Sequence, residues 1–193
     1  MSIIAAVARG HNASTTLLVD GEVIFYLEEE RLSRWKRDGC PLLGLKKIFE
    51  YVDYIDHLVV CHTHRNGPKA DWTGEDLYKG WVRKLSRKKF EFKVTFIDTI
   101  HHQMHATTAF VNSGFDSAAC LIADGAGSFL QTKIVDDVVF EFESIFKAKK
   151  PFEIESVYKH LGTASPVGYI PIGDDKNNPE VVVSEFPGIV KEY

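Results

Sequence analysis

Asp20-Gly21 stands between two β-rich runs, Thr15–Val19 and Glu22–Leu27. An Asp-Gly pair in that setting marks a tight hairpin, because the turn needs a positive φ. Ahead of it, Ile3–Ala8 is a short apolar run that leads to Gly10. The chain therefore opens as strand, glycine-containing turn, strand, tight turn, strand. This order constrains the fold strongly because it recurs. A shift of 116 positions lays Val19-Asp20 on Val135-Asp136, Val23-Ile24 on Val139-Phe140, Ala8 on Asp124 and Gly10 on Ala126.

Two β-meanders can share such a pattern by chance. The other reading is a duplicated β-β-β-α-β-α-β lobe, the construction of the actin-like and sugar-kinase-like (ribonuclease H-like) α/β folds, with mixed β-sheets and flanking helices. The segments between the repeats fit that order. After Pro41, Leu42, Leu45, Ile48, Phe49 and Val52 recur at helical spacing. Leu58–Cys61 reads as a buried strand, Trp72–Lys89 as a helix and Lys93–Ile97 as a strand. His102–Asn112 reads as a helix stopped by Ser113-Gly114, where glycine tolerates the left-handed cap. Strands are then expected over Ser117–Ala123, Phe129–Val135 and Val138–Ile145, and a helix over Ile154–Leu161. The first lobe is expected to fill residues 1–115. The second is expected over 116–193, unfinished at Tyr193.

Composition narrows the function. Twenty-three Lys+Arg against 27 Asp+Glu give a net charge of -4, a field that disfavours non-specific nucleic-acid binding. Six basic residues crowd Lys79–Lys89, with Arg83/Arg87 and Lys84/Lys88 at i,i+4, and a solvated helix face is the simpler explanation. Cys40, Cys61 and Cys120 are odd in number and lack a short paired spacing, which points to thiols in a reducing compartment. No run approaches the roughly 18 apolar residues of a membrane span, and the first residues lack a basic region ahead of their apolar run. The expectation is a cytoplasmic protein without membrane contact.

Four short segments carry chemistry. Gly10-His11-Asn12-Ala13-Ser14 is a glycine turn whose N–H groups and hydroxyl suit phosphate oxygens, with His11 placed as a general base. The competing reading is a polar hairpin. Glu28–Arg37 contains Arg31, Arg34, Lys36 and Arg37, either anion-binding or paired with its own acids across a turn. In His101-His102-Gln103-Met104-His105, the i,i+4 spacing lets His101 and His105 converge on one metal, with His102–His105 as a second choice. Ala123-Asp124-Gly125-Ala126-Gly127 ends an apolar run with a carboxylate and two glycines, suited to a metal-bridged phosphate or to an ordinary turn. Cys61-His62-Thr63-His64 lacks the second cluster that a zinc site needs.

Together and in this order, Gly-His-Asn-Ala-Ser (10–14), Glu-Glu-Arg-Leu-Ser-Arg-Trp-Lys (29–36), His-His-Gln-Met-His-Ala (101–106) and Ala-Asp-Gly-Ala-Gly (123–127) resemble the carbamoyltransferase family of nodulation-factor and antibiotic tailoring enzymes. The resemblance covers residues 3–130. It implies an ATP-dependent O-carbamoyltransferase, which converts carbamoyl phosphate and ATP to a carbamoyl adenylate and carbamoylates an acceptor hydroxyl. It also implies that His101, His105 and Asp124 ligate a divalent metal, iron first and zinc second. Further implications are catalytic or acceptor-side roles for His11 and Lys36, and nucleotide contacts at Ser14, Gly125 and Gly127. The acceptor is a small molecule or a nucleobase derivative bearing a hydroxyl.

Family members continue through a complete second lobe and a carboxy-terminal domain that handles carbamoyl phosphate. No family motif follows Ile145, so the expectation is an amino-terminal part, or one half whose remainder comes from a second chain. Such a part should not transfer carbamoyl groups alone. The related tRNA threonylcarbamoyl-transfer proteins are a second enzyme reading, with Glu-Gly typical where this chain has Gln103-Met104. A nucleotide- or metal-binding module without catalysis is the non-enzyme reading.

Overall fold

In the computed structural model, the described residues are 1–10, 12–61, 75–97, 99–125, 127–131 and 138–163, with the short pieces 169–170 and 181–182. They belong to two compact units, Met1–Asp98 and Thr99–Tyr193. Three strands open the first unit: β1 (Ile3–Ala8), β2 (Ser14–Val19) and β3 (Glu22–Glu28). The short helix α1 (Glu29–Ser33), helix α2 (Leu42–Lys47) and a 3-10 turn (Ile48–Glu50) lead to β4 (His57–Cys61). Helix α3 (Glu75–Ser86) and β5 (Lys93–Phe96) complete it.

The strands form one mixed sheet in the order β3-β2-β1-β4-β5. β1, β2 and β3 pair antiparallel, whereas β4 joins β1, and β5 joins β4, in parallel. This is the β-β-β-α-β-α-β order of an actin-like, ribonuclease H-like lobe. The hairpin turn takes the expected form, with φ of 51° at Asp20 and 87° at Gly21. Alternation places Ile3, Ala5 and Val7 of β1 on the buried face. Register then aligns Leu17, Ala5 and Leu58 in one row, and Thr15, Val7 and Val60 in the next. Leu45, Ile48, Tyr78 and Val82 cover these rows. Each fully buried Leu or Ile contributes roughly 1.5–3 kcal/mol. On α3, Tyr78 and Val82 are buried while Arg83 and Lys84 face solvent, so this helix is amphipathic and its charges are solvated.

The second unit begins with α4 (His101–Ser113), closed by Gly114 at φ 78°. Strands β6 (Ser117–Ala123), β7 (Phe129–Gln131), β8 (Val138–Lys149) and β9 (Glu153–Thr163) follow, and the two-residue strands β10 (Tyr169–Ile170) and β11 (Val181–Val182) pair with each other. The unit boundary lies ahead of α4, so the helix that the sequence reading grouped with residues 1–115 packs on β6 and β8. Its Ala106 and Phe110 meet Cys120, Phe146 and Ala148. β8 is the spine, pairing antiparallel with β6 and β7 and also with β9. In the repeated order β7 would be expected beside β6, but here β8 occupies that place. The repeated Val135-Asp136 turn lies outside the described residues.

One expectation is corrected. Ile154–Leu161 forms part of strand β9, not a helix. Ile154, Val157, Tyr158 and Leu161 mimic helical spacing, yet pairing with the long edge of β8 decides the outcome. Among the described residues, no helix is long and apolar enough to cross a membrane.

Candidate metal centre

Ile100 precedes α4 and has no side chain able to cap it, so the first N–H groups of the helix need partners elsewhere. Ser128 Oγ accepts the N–H of His101 at 3.0 Å, and Glu141 Oε2 accepts that of His102 at 3.4 Å. The helix then sets His101 and His105 one turn apart, with ring centroids 4.5 Å apart and planes at 85°. Asp124 directly follows β6, and its N–H donates to Phe142 O at 3.0 Å. Its Oδ1 accepts the Gly125 N–H at 2.7 Å, which turns Oδ2 toward the histidines.

Oδ2 lies 3.0 Å from His101 Nε2 and 3.8 Å from His105 Nε2, and the two nitrogens are 3.0 Å apart. Atoms ligating one ion at about 2.0–2.2 Å stand roughly 3–3.5 Å from one another, so the triangle fits a single first-row ion with open positions. Burial pushes the Asp124 carboxyl up, but the His101 ring and the Gly125 N–H outweigh it and hold the group below its ordinary value. A carboxylate that stays ionised near neutrality is what a metal ligand requires.

The structure brings His101, His105 and Asp124 together and excludes His102 from the cluster. The His102 ring is buried, with Nδ1 2.8 Å from Ser144 Oγ. Burial lowers its affinity for a proton against the opposing pull of Glu141. Gly127 lies against this ring: a Cβ there would stand 2.6 Å from His102 Nε2 and 2.8 Å from Glu141 Cβ. Gly125 is exposed beside Asp124.

In the first unit, Gly10 takes φ 120° and its N–H points to Gly39 O at 3.5 Å. A Cβ at Gly39 would reach Gly10 O at 3.0 Å, so the loop after α1 lies directly on the turn after β1. Ser14 starts β2, half-buried and paired with Ala8 and Glu28. His11 lies outside the described residues. Lys36 Nζ is 3.0 Å from Glu30 Oε1, and Glu30 Oε2 accepts the Arg37 N–H at 3.0 Å. The acids and bases of this segment do pair across a turn, with Lys36 still 79% exposed. The Arg37 N–H first, then Lys36, hold the Glu30 carboxyl below its ordinary value.

Glu141, Lys159 and Ser128 carry no motif that marks them in the sequence. All three are buried beneath the start of α4, and Glu141 Oε1 pairs with Lys159 Nζ. The alternation of Phe140-Glu141-Phe142-Glu143 marks two faces without saying which is inside. The chain buries Glu141 and leaves Phe140 and Phe142 half-exposed.

No family model matches the chain. It is 28% identical to the nodulation protein NolNO of Sinorhizobium fredii, covering 62% of this chain and 20% of that protein. It is also 28% identical to uncharacterized proteins of Synechocystis (64% of this chain, 25% of that one) and Methanocaldococcus jannaschii (66% and 23%). Among solved structures, YeaZ from Pseudomonas aeruginosa aligns with TM-score 0.39 and 14% identity, over 89% of this chain and 73% of that one. The chain spans about a fifth to a quarter of the length of these curated relatives. It is distantly homologous to the amino-terminal region of NolNO-type nodulation proteins, in line with the carbamoyltransferase resemblance of its four motifs.

Proposed function

We propose that this chain forms the amino-terminal, metal-bearing part of an ATP-dependent O-carbamoyltransferase. In the reaction, water first cleaves carbamoyl phosphate to carbamate and phosphate, and a carbamate oxygen then attacks the α-phosphorus of ATP to give a carbamoyl adenylate, with pyrophosphate leaving. The carbamoyl group then passes to an acceptor hydroxyl and AMP departs. The observation that carries this reading is the convergence of His101, His105 and Asp124, in a chain distantly homologous to NolNO.

Two imidazoles and one carboxylate with open positions suit iron(II) or zinc. A bound ion would supply positive charge against nucleotide phosphates. His101 and His105 would hold it through Nε2, and the Gly125 N–H, which engages Asp124 Oδ1, would leave Oδ2 to face it. Gly127 is buried against His102, so Gly125 is the glycine left to approach phosphate. Ser14 is assigned to the nucleotide as well. Lys36 and His11 are assigned to the acceptor side, where a base takes the hydroxyl proton and a cation steadies the reacting oxygens.

Metal analysis of the purified chain tests the centre. Iron or zinc should be lost in both His105→Ala and Asp124→Asn, and stoichiometric metal in both variants would overturn the assignment. Pyrophosphate release that depends on carbamoyl phosphate, measured with the natural protein, separates an enzyme from a module that only binds metal or nucleotide.

A further inference from the structure

We infer that Glu141 is a positioning residue for the metal centre, acting through Ser128 and the first turn of α4; the inference rests on the metal reading above. A helix whose N-cap position holds isoleucine has no local way to satisfy its first N–H groups. Here the cap comes from residues distant in sequence. Glu141 Oε2 accepts the N–H of Ser128 at 3.0 Å and that of His102 at 3.4 Å. Ser128 Oγ in turn accepts the N–H of His101 at 3.0 Å. One carboxylate oxygen therefore ties the segment after Asp124 to the helix turn that carries His101.

The backbone joins the same assembly, with Gly127 N–H to Glu141 O at 2.7 Å and Glu141 N–H to Ser128 O at 3.1 Å. Asp124 reaches the same strand, donating its N–H to Phe142 O. Two ligands from different elements are thus referenced to one point on β8. The other carboxylate oxygen of Glu141 pairs with Lys159 on β9, so the buried charge is balanced. A negative group at the start of a helix is also favoured by the helix dipole.

An interior charge pair contributes little net stability compared with a hydrocarbon core, so its presence asks for another role. Residues that orient metal ligands without touching the ion typically alter affinity about ten- to a hundred-fold when removed. Glu141 and Ser128 fit that description. They fix the backbone from which His101 projects, and they set its distance from Asp124.

Cobalt(II) binding to the chain, followed by its visible absorption, reads both affinity and coordination geometry. Ser128→Ala should weaken binding about ten-fold and shift the absorption bands, while the metal-free thermal midpoint stays within a few degrees of wild type. Glu141→Ala should weaken it further, and Glu141→Gln, which keeps one oxygen acceptor, should recover part of the loss. If Glu141→Ala does not fold, Ser128→Ala decides. Wild-type affinity and spectrum in Ser128→Ala and Glu141→Gln would overturn the positioning role while leaving the metal centre intact. No cobalt binding by the wild-type chain would overturn both.

Discussion

Two buried glutamates, one in each unit, solve the same local problem with different neighbours. Glu29 sits at the start of α1, and its oxygens accept the N–H groups of Leu43 (2.6 Å) and Gly44 (2.8 Å) at the head of α2. Glu141 does the equivalent for α4 and is also paired with Lys159. Burial pushes the Glu29 carboxyl up, with the Gly44 and Leu43 N–H groups pulling the other way. Around Glu29 the unit is otherwise hydrocarbon, with Thr15 as the other buried polar residue among those described. Around Glu141 lie His102, Ser128, Ser144 and Lys159. The first unit uses its glutamate to close a helix over an apolar core. The second gives much of its interior to polar groups beneath the candidate site, the pattern expected where position matters more than stability.

The sharpest test of this contrast is to remove each carboxylate. Glu141→Ala removes the carboxylate that pairs with buried Lys159 and should cost about 3–5 kcal/mol in urea unfolding. Glu29→Ala leaves two N–H groups without their acceptor and should cost about 1–3 kcal/mol. Equal losses would mean that the lysine adds nothing and that the two sites are alike.

A smaller effect separates the two glycines packed on these groups. A Cβ at Gly44 would meet Thr15 Oγ1 at 2.4 Å, and one at Gly127 would meet the His102 ring at 2.6 Å. Each change to alanine should cost about 1–3 kcal/mol through overpacking. Only Gly127→Ala should also weaken metal binding, because it moves the residue next to His101. Metal loss in Gly44→Ala would dissolve the distinction between a structural and a site-supporting interior.

The smallest expected effect on stability is at Lys36. Its pair with Glu30 is exposed, so Lys36→Ala should leave the thermal midpoint within about 2 °C of wild type. If the proposed function holds, the same variant should lose most of the carbamoylation rate in the natural protein. Unfolding would instead make the Glu30 hub a structural element of the first unit.

Much of this organisation was legible from local chemistry. The Asp20-Gly21 hairpin, the Gly114 stop and strand Ser117–Ala123 follow from turn chemistry and β-rich composition, which act over a few residues. His101 and His105 were legible as a pair because helix geometry alone sets i and i+4 together. Asp124 was legible as a carboxylate at a strand end. Glu141 was not, because its partners are distant in sequence (Ser128 just before β7 and Lys159 on β9) and its neighbours Phe140 and Phe142 suggest the opposite face is buried. Residues 154–161 of β9 read locally as a helix for the same reason: the partner strand, β8, decides their form.

The place of β1 in its sheet has a consequence during synthesis. β1 is made before every strand it pairs with, yet it lies at the sheet's centre, with β2 on one side and β4 on the other. β2 emerges from the ribosome almost at once, whereas β4 begins at His57. At about 5–20 residues per second, β1 waits several seconds with one row of backbone donors and acceptors open. The nascent meander is therefore a half-finished sheet whose inner edge faces outward, and the slow parallel closure with β4 is the step at which a competing strand can enter.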